Sequence, residues 1–293
     1  MKRELLVRHL QAWAAGALHH ARRATYVHGY ADGDGGEAAE AAVRVLTDLP
    51  GLARGRELSM VAVGDDVTGL GQRLGVAQRD AGAAAGLAVL PVGGGTDERL
   101  PVALKAAGAS RVPLMGFLDA TGASAPPAVT TVSAIAAGRP AEVLLVLPPG
   151  ADIDPYRGLG LPLLTVAELA TGPEPGETVA FATTSGKSLE TFKEALWAVD
   201  EFAGVRLRDP ADPERHLIDI SLNPDPGPLR REMTAHLERV GEATVAELRT
   251  FALTETVYRA ADATRVLHTL IDSGAVAREP AHGRLGGDVL IRR

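Results

Sequence analysis

The sequence predicts an α/β fold: a parallel sheet with helices on both faces, followed by a smaller module of helices and a hairpin. Up to residue 222, short and nearly continuous apolar runs alternate with amphipathic stretches at helical spacing. That alternation is typical of parallel strands covered on both faces. Beyond a cluster of proline and glycine at 223–228 the pattern changes, and we expect a domain boundary there.

Size and composition agree with this fold class. The 293 residues suffice for one large domain and one small one. With 46% hydrophobic and 23% charged residues, the chain is expected to be globular and to bury a core. Cysteine is absent, which excludes disulfides, Cys-ligated zinc and thiol catalysis. The formal net charge of −7 argues against nucleic-acid binding by the surface as a whole.

The elements of the first domain follow from the spacing of apolar residues. An amphipathic helix is predicted over 5–22, where leucines and Trp13 recur at helical intervals. Apolar runs predict strands at 25–29, 58–63, 87–92, 112–118, 143–147 and 178–182. The stretches between them predict helices at 37–49, 67–77, 98–107, 128–137 and 188–199. A short helix is expected at 166–171, and a seventh strand within 204–208 or 216–222.

The last 65 residues show a different pattern. Helices are predicted at 229–240, 245–253 and 259–273, followed by a hairpin of 275–279 and 289–292. Three helices and a hairpin in this order are typical of a winged helix-turn-helix module. The predicted domains are therefore 1–222 and 229–293. The outward face of the third helix mixes arginines with aspartates, so a partner-binding role competes with DNA contact.

Glycines and acids collect where the predicted strands end. They are the loop after Gly29, the pair Asp65 and Asp66, the segment 93–97, and Asp119. In open parallel sheets, ligands bind beyond the carboxyl ends of the strands. The layout favours a site for a nucleoside cofactor, with an acid after the second strand for ribose hydroxyls. The competing interpretation is that glycine and aspartate are ordinary loop residues.

Four segments, 26–35, 117–122, 181–183 and 192–197, resemble one known family. Residues 26–35 read YVHGYADGDG and are similar to the Y-I-D-G-F-A-G-x-G stretch of the three-Cys-motif partner protein family (TcmP). Residues 117–122 read FLDATG, similar to that family's F-L-D-P-x-G, and 192–197 read FKEALW, similar to M-K-x-A-M-W. The family resembles class I S-adenosylmethionine-dependent methyltransferases. The resemblance thus implies a Rossmann-like, methyltransferase-type first domain with S-adenosylmethionine as cofactor, and a C-terminal winged helix.

The resemblance also implies the site residues. The expected cofactor-binding residues are His28, Gly29, Tyr30, Asp32, Gly33, Gly35, Asp65, Asp66 and Asp119. Asp65 or Asp66 would take the ribose, and Asp119, near the transferred methyl, is the best candidate for a catalytic residue. The chain departs from the family at His28, which replaces an acid, at Asp32 and Asp34, which replace glycines, and at Ala120, which replaces a proline. Extra bulk and negative charge in the loop predict weak cofactor binding.

Three functions follow as hypotheses. The first is an S-adenosylmethionine-dependent methyltransferase, the second a catalytically silent scaffold or binding partner, and the third, ranked lower, a winged-helix regulator that contacts nucleic acid. The partner is then an unidentified protein or methyl acceptor. We expect no metal, because His19 and His20 cannot share a helix face and Asp32–Glu37 lacks calcium-loop spacing. No segment is apolar enough to span a membrane, so a cytoplasmic protein is expected.

Overall fold

A computed structural model describes residues 1–203, 206–212, 214–218 and 225–293. Its first part is one sheet with helices on both faces. The strands are β1 Arg23–Gly29, β2 Glu57–Gly64, β3 Leu87–Gly93, β4 Leu114–Asp119, β5 Ala141–Leu147, β6 Leu163–Ala170, β7 Glu177–Thr183, β8 Arg206–Arg208 and β9 Leu217–Ile218. The helices are α1 Lys2–His20, α2 Glu37–Thr47, α3 Val67–Asp80, α4 Thr96–Ala106, α5 Val129–Ile135 and α6 Gly186–Ala203.

The strand order is β3-β2-β1-β4-β5-β7-β6-β8-β9. Strands β3, β2, β1, β4 and β5 run parallel, which confirms the predicted α/β class. The chain moves outward from β1 to β3 and then returns to place β4 on the other side of β1. The carboxyl ends of β1 and β4 therefore flank a switch in strand order, where a crevice opens in such sheets.

The far half of the sheet corrects two predictions. Strand β7 runs antiparallel to both β5 and β6, so the sheet is mixed rather than parallel throughout. The helix predicted at 166–171 is wrong, because these residues belong mainly to β6, which pairs with β7 and β8. A short apolar run has too few residues for its period to separate helix from strand. Parts of both segments proposed for the seventh strand form β8 and β9; residues 204, 205 and 219–222 lie outside the described residues.

Two apolar cores cover the faces of the sheet. The larger one packs α1, α2, α3 and α6 against one face, and the smaller one packs α4 and α5 against the other. Leucine, valine and alanine dominate both, with Phe181 and Phe192 stacked at a ring separation of 4.3 Å. Among the described residues, no helix is both long and apolar enough to cross a bilayer.

The C-terminal residues form a separate small sheet with three helices. The order is α7 Gly227–Val240, β10 Glu242–Thr244, α8 Val245–Glu255, α9 Ala260–Asp272, β11 Ala277–Glu279 and β12 Leu290–Arg292. The sheet is antiparallel, in the order β10-β12-β11. Strand β10 was not predicted, since its three residues are too short to show a period. Its last residue, Thr244, caps α8 by accepting a hydrogen bond from the backbone of Glu247.

Helix α6 joins the two parts of the chain. Trp197 Nε1 donates to the carbonyl of Val257 at 2.9 Å, and Lys193 Nζ donates to that of Thr256. The Arg259 guanidinium lies 4.3 Å above the Trp197 ring. The larger core continues from Leu5 through this junction to the C-terminal strands. The boundary between 222 and 229 stays a prediction, because 219–224 lie outside the described residues.

Candidate functional site

A cleft of about 520 Å³ opens at the carboxyl ends of β1, β2 and β4. Of the residues predicted for the site, Tyr30, Asp32, Gly33, Asp65 and Asp119 line it. The chain brings them together because these strands are neighbours and parallel, so their last residues meet at one edge. The rest of the wall comes from Lys2, Asp34, Gly64, the segment 94–98 and the segment 121–125.

The loop after β1 is a tight turn that Gly29 starts. A Cβ on Gly29 would lie 2.5 Å from Leu118 Cδ2 and 2.7 Å from Thr96 Cγ2, so any other residue here would require both side chains to shift. Tyr30 follows with a φ of +53°, the left-handed region that costs energy for an aromatic residue. Its amide donates to Thr96 Oγ1 at 2.8 Å, which holds the loop against α4.

Asp32 and Asp34, at which the resemblance implies glycines, bond to the protein's own backbone. Asp34 accepts from the amides of Gly36 and Ala38 at 3.0 and 2.9 Å and thereby bonds to the N-terminus of α2, whose N-cap residue is Gly36. Asp32 Oδ2 accepts from the amide of Asp66 at 2.8 Å, which ties the β1 loop to the β2 loop. Both side chains also border the cleft. They therefore fix the loop and at the same time place negative charge at its surface.

Asp65 and Asp66 have different roles. Asp66 lies outside the cleft wall and is the N-cap of α3, accepting from the amide of Gly69 at 2.9 Å. Asp65 lines the cleft, is exposed, and makes no side-chain hydrogen bond or ion pair with the described residues. Of the pair, Asp65 is thus the carboxylate available to a ligand.

Asp119 is held by a cation that the sequence did not reveal. Lys2 Nζ lies 2.9 Å from Asp119 Oδ2 and 3.0 Å from Glu177 Oε1. Thr121 Oγ1 donates to Asp119 Oδ1 at 2.7 Å. Burial lowers the pKa of Lys2, but hydrogen bonds to Asp119 and Glu177 outweigh it and raise the pKa above its ordinary value. Lys2 was missed because 117 positions separate it from Asp119.

Three other predicted residues lie outside the cleft wall: His28, Gly29 and Gly35. His28 points into the larger core, where it meets Phe117 edge-on and Tyr26 Oη lies 2.8 Å from its Nδ1. Burial lowers the pKa of His28 to about 4, so the ring is neutral at physiological pH. The residue that stands where the family has an acid is therefore part of the core.

Negative charge dominates the cleft. Six carboxylates and one ammonium group, that of Lys2, line it. The carboxylates are those of Asp32, Asp34, Asp65, Asp97, Glu98 and Asp119. Asp97, in the strand-end segment 93–97, accepts from the Ala128 amide and from Thr131 Oγ1 at 3.0 and 2.6 Å. A cleft lined by one sign of charge concentrates ions of the other sign. Within the described residues, no group of three or more His, Asp or Glu side chains is arranged to hold a metal ion.

The N-cap residue of α9, Arg259, is bonded to other side chains of the protein. The Arg259 side chain donates to both oxygens of Asp262, from Nε at 2.9 Å and from Nη2 at 3.1 Å, while it covers Trp197. Glu194 on α6 lies 3.4 Å from its Nη1. In a helix-turn-helix, the N-terminal residues of this helix contact the bases. Here the residue that precedes the helix, Arg259, contacts Trp197 and Glu194 of α6.

Comparisons with known proteins return structural similarity at low identity. No family model matches the sequence, and it matches no curated protein. EvdMO1 aligns with 55% of this chain at 12% identity, with a TM-score of 0.38. A candidate O-methyltransferase from Nostoc punctiforme aligns with 58% at 10% identity and a TM-score of 0.34. Spermidine synthase from Thermotoga maritima aligns with 64% at 11% identity and a TM-score of 0.32.

The alignments cover 37%, 55% and 62% of those three chains, so this chain spans less than two thirds of each. Similarity at this level transfers no function to the chain.

Proposed function

We propose that the chain is a methyltransferase-like protein whose cleft binds S-adenosylmethionine. The observation that carries the proposal is the convergence of five predicted residues on one cleft at the switch in strand order. Nucleoside ligands bind at that place in open α/β sheets. The identity of the cofactor is inferred from the resemblance of residues 26–35 and 117–122 to three-Cys-motif partner proteins.

The cleft fits most of the cofactor. Its volume of about 520 Å³ lies within the range of roughly 300–1,000 Å³ usual for small-molecule sites. The unengaged carboxylate of Asp65 suits the two ribose hydroxyls. The acidic wall suits the positively charged sulfonium and ammonium groups.

The cofactor's carboxylate fits less well. Two of the amide groups at the start of α2 that could receive it, those of Gly36 and Ala38, are bonded to Asp34. Lys2, the cation of the wall, is bound to Asp119 and Glu177. A carboxylate would therefore meet Asp32 and Asp34 with little compensation, which supports weak binding of S-adenosylmethionine.

A catalytically silent scaffold is the second candidate function. Bound S-adenosylmethionine would supply an electrophilic methyl group, and Asp119 would have to orient or deprotonate the acceptor. Asp119 is already engaged by Lys2 and by Thr121, which favours a structural role for it. The methyl acceptor or protein partner is then recognised elsewhere on the surface.

We propose that residues 229–293 form a winged-helix module that contacts protein rather than DNA. The order of α7, β10, α8, α9 and the β11–β12 hairpin supports the winged-helix assignment. The packing of Arg259 against Trp197 and Glu194 supports docking over DNA contact. The nucleic-acid regulator hypothesis is the least supported of the three.

Isothermal titration calorimetry with S-adenosylmethionine and S-adenosylhomocysteine tests the cofactor proposal. We expect weak binding of S-adenosylmethionine, with a Kd above about 100 µM. S-adenosylhomocysteine should bind about tenfold more weakly, because its sulfur is an uncharged thioether and lacks the positive charge that the acidic wall attracts. Asp65→Ala should weaken binding at least tenfold, whereas the matched variant Asp80→Ala, an exposed aspartate outside the cleft, should leave it unchanged.

The alternative outcomes are distinct. Absence of binding by both compounds would overturn the cofactor proposal. Micromolar binding that Asp65→Ala abolishes would favour the enzyme over the silent scaffold. Binding that Asp65→Ala does not affect would place the ligand outside this cleft.

A further inference from the structure

A second cleft lies at the opposite edge of the sheet. Its volume is about 420 Å³, and the last turns of α1 and the turn at 49–56 form it. Arg22 precedes β1 and Arg56 precedes β2, so the cleft lies at the amino ends of these strands. Because β1 has seven residues and strands rise about 3.3 Å per residue, the acidic cleft is about 20 Å away.

The charge of this cleft is uniform and positive. Its wall contains His19, Arg22, Arg54 and Arg56 and no carboxylate. Among the described residues, none of the three arginine side chains has an ion pair or a side-chain hydrogen bond. Acidic residues outnumber basic ones in the chain, 37 to 30, yet none is placed here. Grouped, uncompensated guanidinium groups repel one another, and a bound anion relieves that repulsion.

The backbone around the arginines is ordered. The amides of Arg54 and Arg56 both donate to the carbonyl of Gly51, at 3.0 and 3.2 Å. A Cβ on Gly51 would lie 3.1 Å from Leu18, so the turn packs directly on α1. The carbonyl of Arg22 accepts from the amide of Glu57 at 3.0 Å, which joins the starts of β1 and β2. The arginine stems thus extend from fixed positions around one concavity.

We propose that this cleft binds a phosphate-bearing small molecule. Guanidinium groups form paired hydrogen bonds with phosphate oxygens, and three arginines around one concavity match a multiply charged phosphate. Leu18, Leu49 and Pro50 add apolar surface for the organic part of the ligand. The concave shape and limited volume favour a small molecule over a nucleic-acid duplex, which needs an extended basic surface. The site does not depend on the cofactor proposal.

The test uses pyrophosphate as the probe and the full chain, by calorimetry in 150 mM salt. We expect saturable binding of one pyrophosphate per chain. Arg54→Ala and Arg56→Ala should each raise the Kd tenfold or more, and Arg56→Lys should recover part of the affinity because it keeps the charge but loses the planar fork. The matched control is Arg44→Ala, an exposed arginine on α2, which should leave the Kd unchanged.

A thermal-unfolding measurement provides a second readout. Pyrophosphate should raise the Tm of the wild type and of Asp65→Ala equally, and of Arg54→Ala much less, because only binding to the folded state raises Tm. Absence of binding, or equal weakening by Arg44→Ala, would overturn the proposal. Tighter binding of a duplex oligonucleotide than of pyrophosphate, lost in the same variants, would replace it with a nucleic-acid surface.

Discussion

At the scale of single residues, the loop after β1 contains two aspartates whose hydrogen bonds could not be predicted from the neighbouring sequence. Asp32 and Asp34 stand where the family resemblance implies glycines that leave room for a cofactor. In the structure both side chains accept hydrogen bonds from the backbone: Asp34 from two amides at the N-terminus of α2, and Asp32 from the amide of Asp66. Replacing both by glycine would remove three hydrogen bonds. A simple recovery of the family's loop is therefore not expected from that double change.

We predict that Asp34→Ala lowers the free energy of unfolding by about 1 kcal/mol, within the range of about 0.5–2 kcal/mol measured for lost N-caps. Asp34→Asn should lose less stability than Asp34→Ala, because its single side-chain oxygen can replace one of the two carboxylate oxygens that accept from the amides of Gly36 and Ala38. Urea denaturation followed by circular dichroism measures both. Asp80→Ala, on an exposed aspartate, is the control. Equal effects of Asp34→Ala and Asp80→Ala would show that these hydrogen bonds contribute nothing.

A second residue-scale prediction concerns Lys193. Burial lowers its pKa from 10.5 to about 7, and Asp209 offsets only part of this. Between pH 7 and 10.5 the unfolded chain holds a proton that the folded chain has released, so stability rises with pH across that window. The expected contribution is up to about 1.4 kcal/mol per pH unit. Unfolding free energies at pH 7.0 and 8.5 measure it.

The matched variants for this prediction are Lys193→Met and Lys105→Met. Lys193→Met should flatten the rise between the two pH values, because the titrating group is gone. Lys105 is exposed, and its variant should keep the wild-type slope. A wild type whose stability is the same at pH 7.0 and 8.5 would mean that Lys193 stays protonated in the folded chain.

At the scale of elements, α6 carries the contact between the large sheet and the C-terminal helices. Its residues Lys193 and Trp197 are four positions apart, so they project from the same side. They donate to the adjacent carbonyls of Thr256 and Val257, at the connection between α8 and α9. Two neighbouring carbonyls at the end of a helix are thereby satisfied from outside the module.

We predict that Trp197→Ala costs about 3–5 kcal/mol of stability, since it removes a buried aromatic side chain. Trp197→Phe should lose less, because the ring contact stays and the hydrogen bond to Val257 goes. Urea denaturation monitored by circular dichroism measures both. If the alanine variant is as stable as the wild type, α6 does not hold the two parts together.

The element that sequence patterns misjudged is β6. Residues 166–171 were expected to be a short helix, yet Leu163–Ala170 lies between β7 and β8 and pairs with both. Its backbone amides and carbonyls bond to β7, the next strand along the chain, and to β8, which is more distant in sequence. Hydrogen bonding to neighbouring strands, rather than local propensity, therefore determines that this segment is a strand.

At the scale of the whole molecule, the chain has opposite charges at the two edges of its sheet. Six carboxylates line the cleft at the carboxyl edge, and four basic side chains line the cleft at the amino edge. Cations and anions are accordingly attracted to opposite edges of one sheet. Both attractions should weaken with added salt, because exposed charges are screened.

We predict one cooperative unfolding transition for the whole chain. The larger apolar core runs without interruption from Leu5 on α1 to Ile291 on β12, so neither predicted domain buries its apolar surface alone. Calorimetric and van't Hoff enthalpies should agree, and circular dichroism and tryptophan fluorescence should report the same midpoint. Two separate transitions, with the C-terminal helices melting by themselves, would instead fit an independent module.

The α/β class, most of the helices and strands, and the acids at the strand ends could be predicted from the sequence. Those features depend on local periodicity and on turn residues, which act within about ten positions along the chain. That regular alternation also predicts that the central strands run parallel and that Tyr30, Asp32, Gly33, Asp65 and Asp119 meet at one edge of the sheet, whereas the order of the strands is known only from the structure. Helix boundaries differ by a few residues, as at α1, which ends at His20 rather than 22.

Which carboxylates are free and which are bonded to other groups of the protein depends on the tertiary structure. Asp65 and Asp66 are adjacent in sequence, yet one borders the cleft and the other caps a helix. Lys2 reaches Asp119 across 117 positions, and His28 turns into the core. The physical reason is that hydrogen bonds, ion pairs and burial depend on distances in space. Sequence spacing does not record which distant segments the sheet brings together.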